Sequence, residues 1–470
     1  MFRVEGLEGK KMRKPYLFVA VAMAAALTAA SAGAQDKARA ARDAKALIGV
    51  ERAKDVPMPP GFRIMPSEID GPVFANAEGM TLYKWQLKAL RNGSAGERKN
   101  EPACYDVKTT ETAGLMSPYP PGLVLPDLDT RPACSDVWKP VYAAANAQPV
   151  DKWTVLTRKD GTKQWAYDGF ALYTSVLDKE PGEVAGAPKK ARGDAPSYRE
   201  AVKPPSDIPP GFEVATTTRG RMLTTTSQQA VYAFDGDTAA KTACTGECTQ
   251  TWKPILAPSV GQTTEGWTIF ERSPGVRQWA FRGKPLYINV LDRESRSQEG
   301  TDTPGWHNVY LQLAPPPPKE FTVQVTSSGE VLADPSGKTI YTYACADDSV
   351  DQLNCDHPSE TQAYRFGMCG AFDPDRCVRT FPYVIAGKDA QSLSQSWTVV
   401  WIDPKTGKYA DAGAPGALKV WAYRQRPVYT YAGDKRPGDI NADGFGEFRG
   451  LRNGYKAFFL RDDFYNGAGD

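Results

Sequence analysis

Apolar residues along this chain come in short runs. One stretch reads Phe212-Glu213-Val214-Ala215-Thr216, Arg221-Met222-Leu223-Thr224 and Ala230-Val231-Tyr232-Ala233-Phe234. The next reads Trp267-Thr268-Ile269-Phe270, Gln278-Trp279-Ala280-Phe281 and Pro285-Leu286-Tyr287-Ile288. Runs this short, rich in β-branched and aromatic residues and bounded by Gly, Ser, Asp and Pro, predict strands joined as β-meanders. Arg282-Gly283-Lys284 predicts a tight hairpin in which Gly283 supplies the positive φ. Long amphipathic helical patterns are absent from this part of the chain. The fold class predicted from the pattern is all-β.

The pattern repeats. Gln164-Trp165-Ala166-Tyr167 leads to Tyr173, Gln278-Trp279-Ala280-Phe281 to Tyr287, and Val420-Trp421-Ala422-Tyr423 to Tyr429, with the same Trp-to-Tyr interval each time. Cys134, Trp138, Trp153, Trp165 and Tyr173 recur 114 residues later as Cys248, Trp252, Trp267, Trp279 and Tyr287. The third copy keeps the order with insertions: Cys377, Phe381, Trp397, Trp421, Tyr429. A repeat of this kind sets the architecture. It predicts tandem antiparallel modules over 55–186, 207–314 and 320–470, each of two half-repeats. Residues 35–54 read as a leader, 187–206 as a linker, and the prolines of 315–319 as a stiff spacer. These connections favour separate beads. The alternative is one propeller-like ring of half-repeats.

Composition adds an address. Lys10, Lys11, Arg13 and Lys14 precede an apolar stretch from Tyr16 to Ala30, and Ala32-Gly33-Ala34 is an A-x-A cleavage site. This predicts a signal peptide over 1–34 and a periplasmic or secreted chain. An uncleaved anchor fits less well, because the apolar stretch is shorter than the ~20 residues a span needs. No transmembrane segment is expected after cleavage. Basic and acidic residues nearly balance (57 against 55), which argues against nucleic acid as a partner.

The eight cysteines are Cys104, Cys134, Cys244, Cys248, Cys345, Cys355, Cys369 and Cys377. An even number in an exported chain favours disulfides. Zinc fits poorly, with only two histidines (His307 and His357) and no C-x-x-C pair. Cys244 and Cys248 enclose a three-residue loop and predict one bridge. Internal alignment then pairs Cys104 with Cys134, and Cys369 with Cys377, leaving Cys345 for Cys355. Four cysteines allow three connectivities, so pairing in the third module stays open. Redox activity is the rival to a structural role.

Tyr429-Thr430-Tyr431-Ala432-Gly433-Asp434 and Tyr232-Ala233-Phe234-Asp235-Gly236-Asp237 both fit a Y-x-[FWY]-x-x-D signature. With Cys244-Thr245-Gly246-Glu247-Cys248 and the Gln-Trp-Ala hairpins, the chain resembles the bacterial "secreted repeat of unknown function", often described as predicted lipoproteins. The resemblance implies export and repetition, and no established chemistry. The lipid-accepting Cys is missing. Lys88 stands where the first copy needs Asp, and Tyr173 and Tyr287 keep Asp178 and Asp292 but have Ser175 and Asn289 at the aromatic position. Tyr341-Thr342-Tyr343 is followed late by Asp347 and Asp348.

Three groups of residues carry candidate chemistry. The aromatics Trp165, Tyr173, Tyr232, Phe234, Trp279, Tyr287, Trp421, Tyr429 and Tyr431 could stack on a glycan, but their regular placement favours core packing. Asp178, Asp237, Asp292 and Asp434 sit where strands turn, which favours capping of turn amides over cation binding. Asp439-Ile440-Asn441-Ala442-Asp443-Gly444 opens like a calcium loop, with Glu447 at the ninth position, but Gly450 replaces the bidentate Glu of an EF-hand. Calcium is thus a candidate cofactor at Asp439, Asn441, Asp443 and Glu447, and none is required. No hydrolase triad, P-loop or Rossmann fingerprint stands out. The expected function is non-catalytic binding in the cell envelope, to a protein or glycan, through the insertions at 87–132, 346–375 and 403–416. The alternatives are a glycan-acting enzyme and a metal or redox accessory.

Overall fold

The turn formers reverse the chain at each break between apolar runs, so the runs become antiparallel strands. The computed structural model describes residues 47–90, 93–106, 132–186, 199–345, 355–446 and 454–462. Among the described residues the fold is all-β: several antiparallel sheets, none closed into a barrel, with a few short helices.

Module 2 shows the plan. Phe212–Thr217 pairs with Gly220–Thr225, and Tyr232–Phe234 follows. Trp267–Ser273, Val276–Phe281 and Lys284–Asn289 form the second meander. The two halves meet where Tyr232 lies opposite Tyr287. Tyr83 opposite Tyr173, and Tyr341 opposite Tyr429, mark the same junction in the other modules. Strand alternation sends residues to both faces, and each face is covered. In module 2 one face buries Phe212, Trp267, Trp279 and Phe281, and the other buries Tyr232, Trp252, Tyr287 and Trp306.

Each module ends in a closing strand that the sequence reading did not contain. Trp306–Leu313 enters between the first hairpin and the Tyr232 strand. Its Val309 amide donates to Val231 carbonyl at 3.0 Å. In module 1 Val202 donates to Leu82 carbonyl at 2.7 Å, and in module 3 Phe458 donates to Ile340 carbonyl at 2.8 Å.

This strand corrects the expected linker at 187–206, because Glu200–Ala201 pairs with Tyr83–Lys84 inside module 1. The leader at 35–54 is corrected too. Leu47–Ile48 runs parallel to Val309 and Tyr310, and Glu51 pairs with Arg221 at 2.5 Å. Residues 1–46 and 187–198 lie outside the described residues. Two short helices, Ala363–Gly370 and Pro374–Thr380, occupy the module 3 insertion. They turn Tyr364, Arg365 and Phe366 inward, so this part of 346–375 builds core instead of a binding face.

The modules are not spaced beads, because each touches both others. Gln312 donates to the carbonyls of Ser67 and Glu68 at 2.8 and 2.7 Å, joining modules 2 and 1. Arg461 holds Asp302 with two bonds, of 2.6 and 2.8 Å, joining modules 3 and 2. Modules 1 and 3 meet at the hairpin Arg424–Gln425, where both residues have positive φ (50° and 68°). The corresponding turns use Gly169 and Gly283 at the second position. Contacts support the unusual Gln425: its Nε2 donates to Glu183 Oε1 at 2.8 Å and Leu177 carbonyl at 3.2 Å. Beside it Arg424 and Asp70 form a buried ion pair. Glu68 accepts the amides of Gln395 and Ser396 at 3.0 and 2.6 Å.

Asp70→Ala is expected to lower stability by about 3 kcal/mol, because it removes the carboxylate that neutralises a buried guanidinium. Guanidinium chloride unfolding of the oxidised protein checks this. A loss below about 1 kcal/mol would assign the pair the weight of a surface contact.

Candidate functional site: the buried tyrosine–carboxylate exchange

The signature residues converge at the junction of the half-repeats. In module 2 Tyr232 hydroxyl donates to Asp292 Oδ2 at 2.7 Å, and Tyr287 hydroxyl donates to Asp237 Oδ2 at 2.6 Å. Each half thus supplies a tyrosine to the other half's carboxylate. The spacing explains why. The strand carries the tyrosine, the chain then turns, and the Asp five residues on swings back beside the opposing tyrosine.

The second oxygen of each carboxylate takes backbone donors. Asp237 Oδ1 accepts Ala243 amide at 2.7 Å, and Asp292 Oδ1 accepts Gly300 amide at 3.1 Å. Asp178 Oδ1 accepts Ala185 and Gly186 amides at 2.8 and 3.1 Å. Glycine is needed at the close approach: a Cβ on Gly300 would lie 2.8 Å from both Tyr232 and Trp252 rings.

Modules 1 and 3 vary this plan. Tyr83 hydroxyl donates to Asp178 Oδ2 at 2.9 Å, and Tyr341 hydroxyl to Asp434 Oδ2 at 2.7 Å. Tyr173 finds no Asp at position 88. Its hydroxyl donates instead to Glu97 Oε1 at 2.6 Å, so an acid from the insertion replaces the missing one. Asp347 and Asp348, the late acids of module 3, lie outside the described residues.

The aromatic position of the signature belongs to a three-layer stack. Trp306 lies between Phe234 and Trp252, with centroids 4.7 and 3.7 Å away. Tyr455 lies between Tyr343 and Phe381, at 5.3 and 3.6 Å. In module 1 the middle layer is the Arg199 guanidinium, 4.1 Å from Trp85 and 4.6 Å from Trp138. A planar cation replaces an aromatic ring between two π faces. This substitution hid the closing strand in the sequence, because Arg199, Trp306 and Tyr455 share no residue type. The outer layer is positioned by a disulfide-bearing turn four residues upstream. The four bridges are Cys104–Cys134, Cys244–Cys248, Cys345–Cys355 and Cys369–Cys377.

The hairpin glutamines brace the site. Arg158 Nη1 donates to Gln164 at 2.6 Å and Arg272 Nη1 to Gln278 at 2.7 Å, while each glutamine donates to a strand carbonyl, Leu172 or Leu286. Module 3 has Val420 here, and Arg365 from the inserted helix stacks 4.9 Å from Tyr429. Trp165, Trp279 and Trp421 are buried in the hairpin core. Tyr431 is partly buried and packs 4.9 Å from Phe381.

Burial pushes the Tyr83 and Tyr232 hydroxyls well above the ordinary phenol range. It pushes Asp178 up to about 7, against the opposing pull of the Tyr83 hydroxyl and the Gly186 and Ala185 amides. His357 is driven by burial down to about 3, so it is neutral, and it accepts the Ser359 amide at 3.2 Å. The chemistry this arrangement performs is cohesion: a hydroxyl from one half satisfies a carboxylate from the other.

The Asp439 loop lies beside the Tyr341–Asp434 pair. Asp439 Oδ2 accepts Lys435 and Arg436 amides, both at 3.0 Å, and Asp443 Oδ1 accepts Ala457 amide at 2.9 Å. Asn441 donates to Asp434 Oδ1 through its amide and side chain, at 3.1 and 3.2 Å. Glu447 lies outside the described residues. Among the described residues no helix is long and apolar enough to cross a membrane.

The model of a family described as a secreted repeat of unknown function matches three segments of the chain, residues 154–192, 213–255 and 418–452. The matches fall on the second half of modules 1 and 3 and the first half of module 2, so the half-module is the repeating unit. No curated protein and no solved structure matches the chain. The family description and the four disulfides fit an extracellular or envelope location.

Tyr232→Phe removes a hydrogen bond from a buried hydroxyl to a partly buried carboxylate and is expected to cost about 2 kcal/mol in denaturant unfolding. Asp178 binds its proton more tightly folded than unfolded. Its stabilising contribution is therefore complete below about pH 4 and is lost as pH rises through about 7. Unfolding midpoints measured between these limits should fall with pH, and Asp178→Asn should flatten that part of the profile. An unchanged profile in the variant would refute the assignment.

Proposed function

We propose that this protein is a non-catalytic binding scaffold of the cell envelope, with its ligand held by residues that differ between modules. One observation carries the reading. The acids and aromatics that repeat are engaged inside the modules, each described carboxylate of the signature against a tyrosine of the opposite half. Residues spent on cohesion in every module are poor candidates for contacting a ligand. Binding then falls to exposed positions on a rigid frame, where recognition surfaces commonly lie. A glycan-acting enzyme needs two carboxylates converging in a cleft, and the signature acids face separate tyrosines instead. Export to the periplasm or beyond is part of the proposal, resting on the predicted signal peptide.

The test is a thermal-shift panel on the oxidised exported chain, residues 35–470, with calcium, other metals and envelope glycans. It is paired with capture from envelope extract. A ligand at 100 times its Kd stabilises the folded state by about 2.7 kcal/mol. A shift, or a captured component that binds again when purified, supports the scaffold reading. Calcium has its own arm: a calcium shift abolished by Asp443→Ala assigns the Asp439 loop as a cation site. No shift and no captured component would sink the proposal.

A further inference from the structure

Module 1 carries an open groove, about 690 Å³ including its solvent-facing side, whose lining includes Phe62, Trp165, Tyr142, Asn76, Glu78 and Thr174. Two of these belong to the repeat, since Phe62 packs on Trp153 and Trp165 as Phe212 packs on Trp267 and Trp279. Tyr142 and Glu78 do not. Tyr142 bridges to Gln164 where Leu256 bridges to Gln278 and Ile385 to Val420. All three positions are exposed to the same degree, 59, 60 and 60 %, so the fold sets the exposure and module 1 alone puts an aromatic ring there. Asn76 opens a turn closed by its amide bond to Met80 carbonyl. Thr225 with Gln229, and Asp334 with Lys338, form the same turn in modules 2 and 3. At the place of Glu78 those turns carry Ser227 and Ser336.

We infer that this groove binds a neutral oligosaccharide. Two features of the lining select that class. The exposed Tyr142 ring offers an apolar face for the C–H side of a sugar ring, with Phe62 and Trp165 lining the groove beside it. Glu78, Asn76 and Thr174 offer oxygen and nitrogen partners for hydroxyls, and Asn76 is fixed in place because its Oδ1 accepts Met80 amide at 2.9 Å. The described residues lining the groove include one carboxylate and no Lys, Arg or His. The Arg63 guanidinium is engaged with the Ala77 carbonyl, so the carboxylate of Glu78 is the charged group in the lining and disfavours an anionic ligand. The inference rests on the scaffold reading above and names its ligand class.

Calorimetric titration of the oxidised full-length exported chain with cellohexaose, chitohexaose and maltohexaose tests it, with hexagalacturonate as the anionic comparison. At least one neutral hexamer should bind. Tyr142→Leu, which installs the module 2 residue at an exposed position, should weaken that binding at least ~10-fold. Tyr142→Phe should preserve it, Glu78→Gln should weaken it several-fold, and Leu256→Ala should leave it unchanged. Absence of binding by all three neutral hexamers at about 10 mM, a Kd range below any useful affinity, would overturn the assignment. Equal binding by the parent and Tyr142→Leu, or preference for hexagalacturonate, would overturn it too. The broader scaffold reading fails separately: it stands if the parent and Tyr142→Leu capture the same envelope component, and falls only if neither captures or responds to anything.

Discussion

Each module depends on a buried hydroxyl reaching a buried carboxylate across a two-fold junction. Burial alone would penalise both groups, the acid most of all. The exchange in module 2 satisfies both acids with tyrosines from opposite strands, and backbone amides complete their shells. Neither half-repeat can satisfy this arrangement by itself, because its tyrosine and its acid each need the other half. The sequence repeat is therefore a half-module, while the smallest self-sufficient structure is two of them closed by a third kind of strand.

That closing strand links the polar junction to the aromatic stack. Trp306, Tyr455 and Arg199 occupy one place in the fold, between the ring of the signature's aromatic position and the ring that follows the cysteine turn. The disulfide, the stack and the tyrosine pair are thus mechanically connected, and each supports the others. The loops that leave this frame reach the neighbouring modules. Glu68 and Asp70 of module 1 meet module 3, while the backbone beside them receives Gln312 of module 2. One loop therefore ties all three modules together, which explains why proline-rich connections do not produce separated beads.

Much of this was legible in the sequence because it repeats at fixed spacing. Trp165, Trp279 and Trp421 announced the hairpins, and Tyr232 with Asp237 announced a turn-capping acid. What spacing could not convey was the exchange. The intervals place each acid near its own strand end, whereas its tyrosine partner is 60 residues away for Tyr232 and Asp292. The closing strands were invisible for a different reason: their key residue tolerates tryptophan, tyrosine or arginine, since stacking asks for a flat face and not for one side chain. Glu97 was hidden by an insertion, and the helices of module 3 by their shortness, with only Asp373 before Pro374 as a cap signal.

The departures concentrate in module 1, and they are of two kinds. Glu97 and Arg199 lie inside, where a displaced acid and a planar cation rebuild contacts that module 2 makes with Asp237 and Trp306. These substitutions preserve the frame. Tyr142 and Glu78 lie outside, where module 2 has Leu256 and Ser227. An exposed ring adds no core packing and little stability, so cohesion does not explain its presence. Within a repeat that spends its common residues on holding halves together, Tyr142 and Glu78 are the positions on which the proposed binding rests.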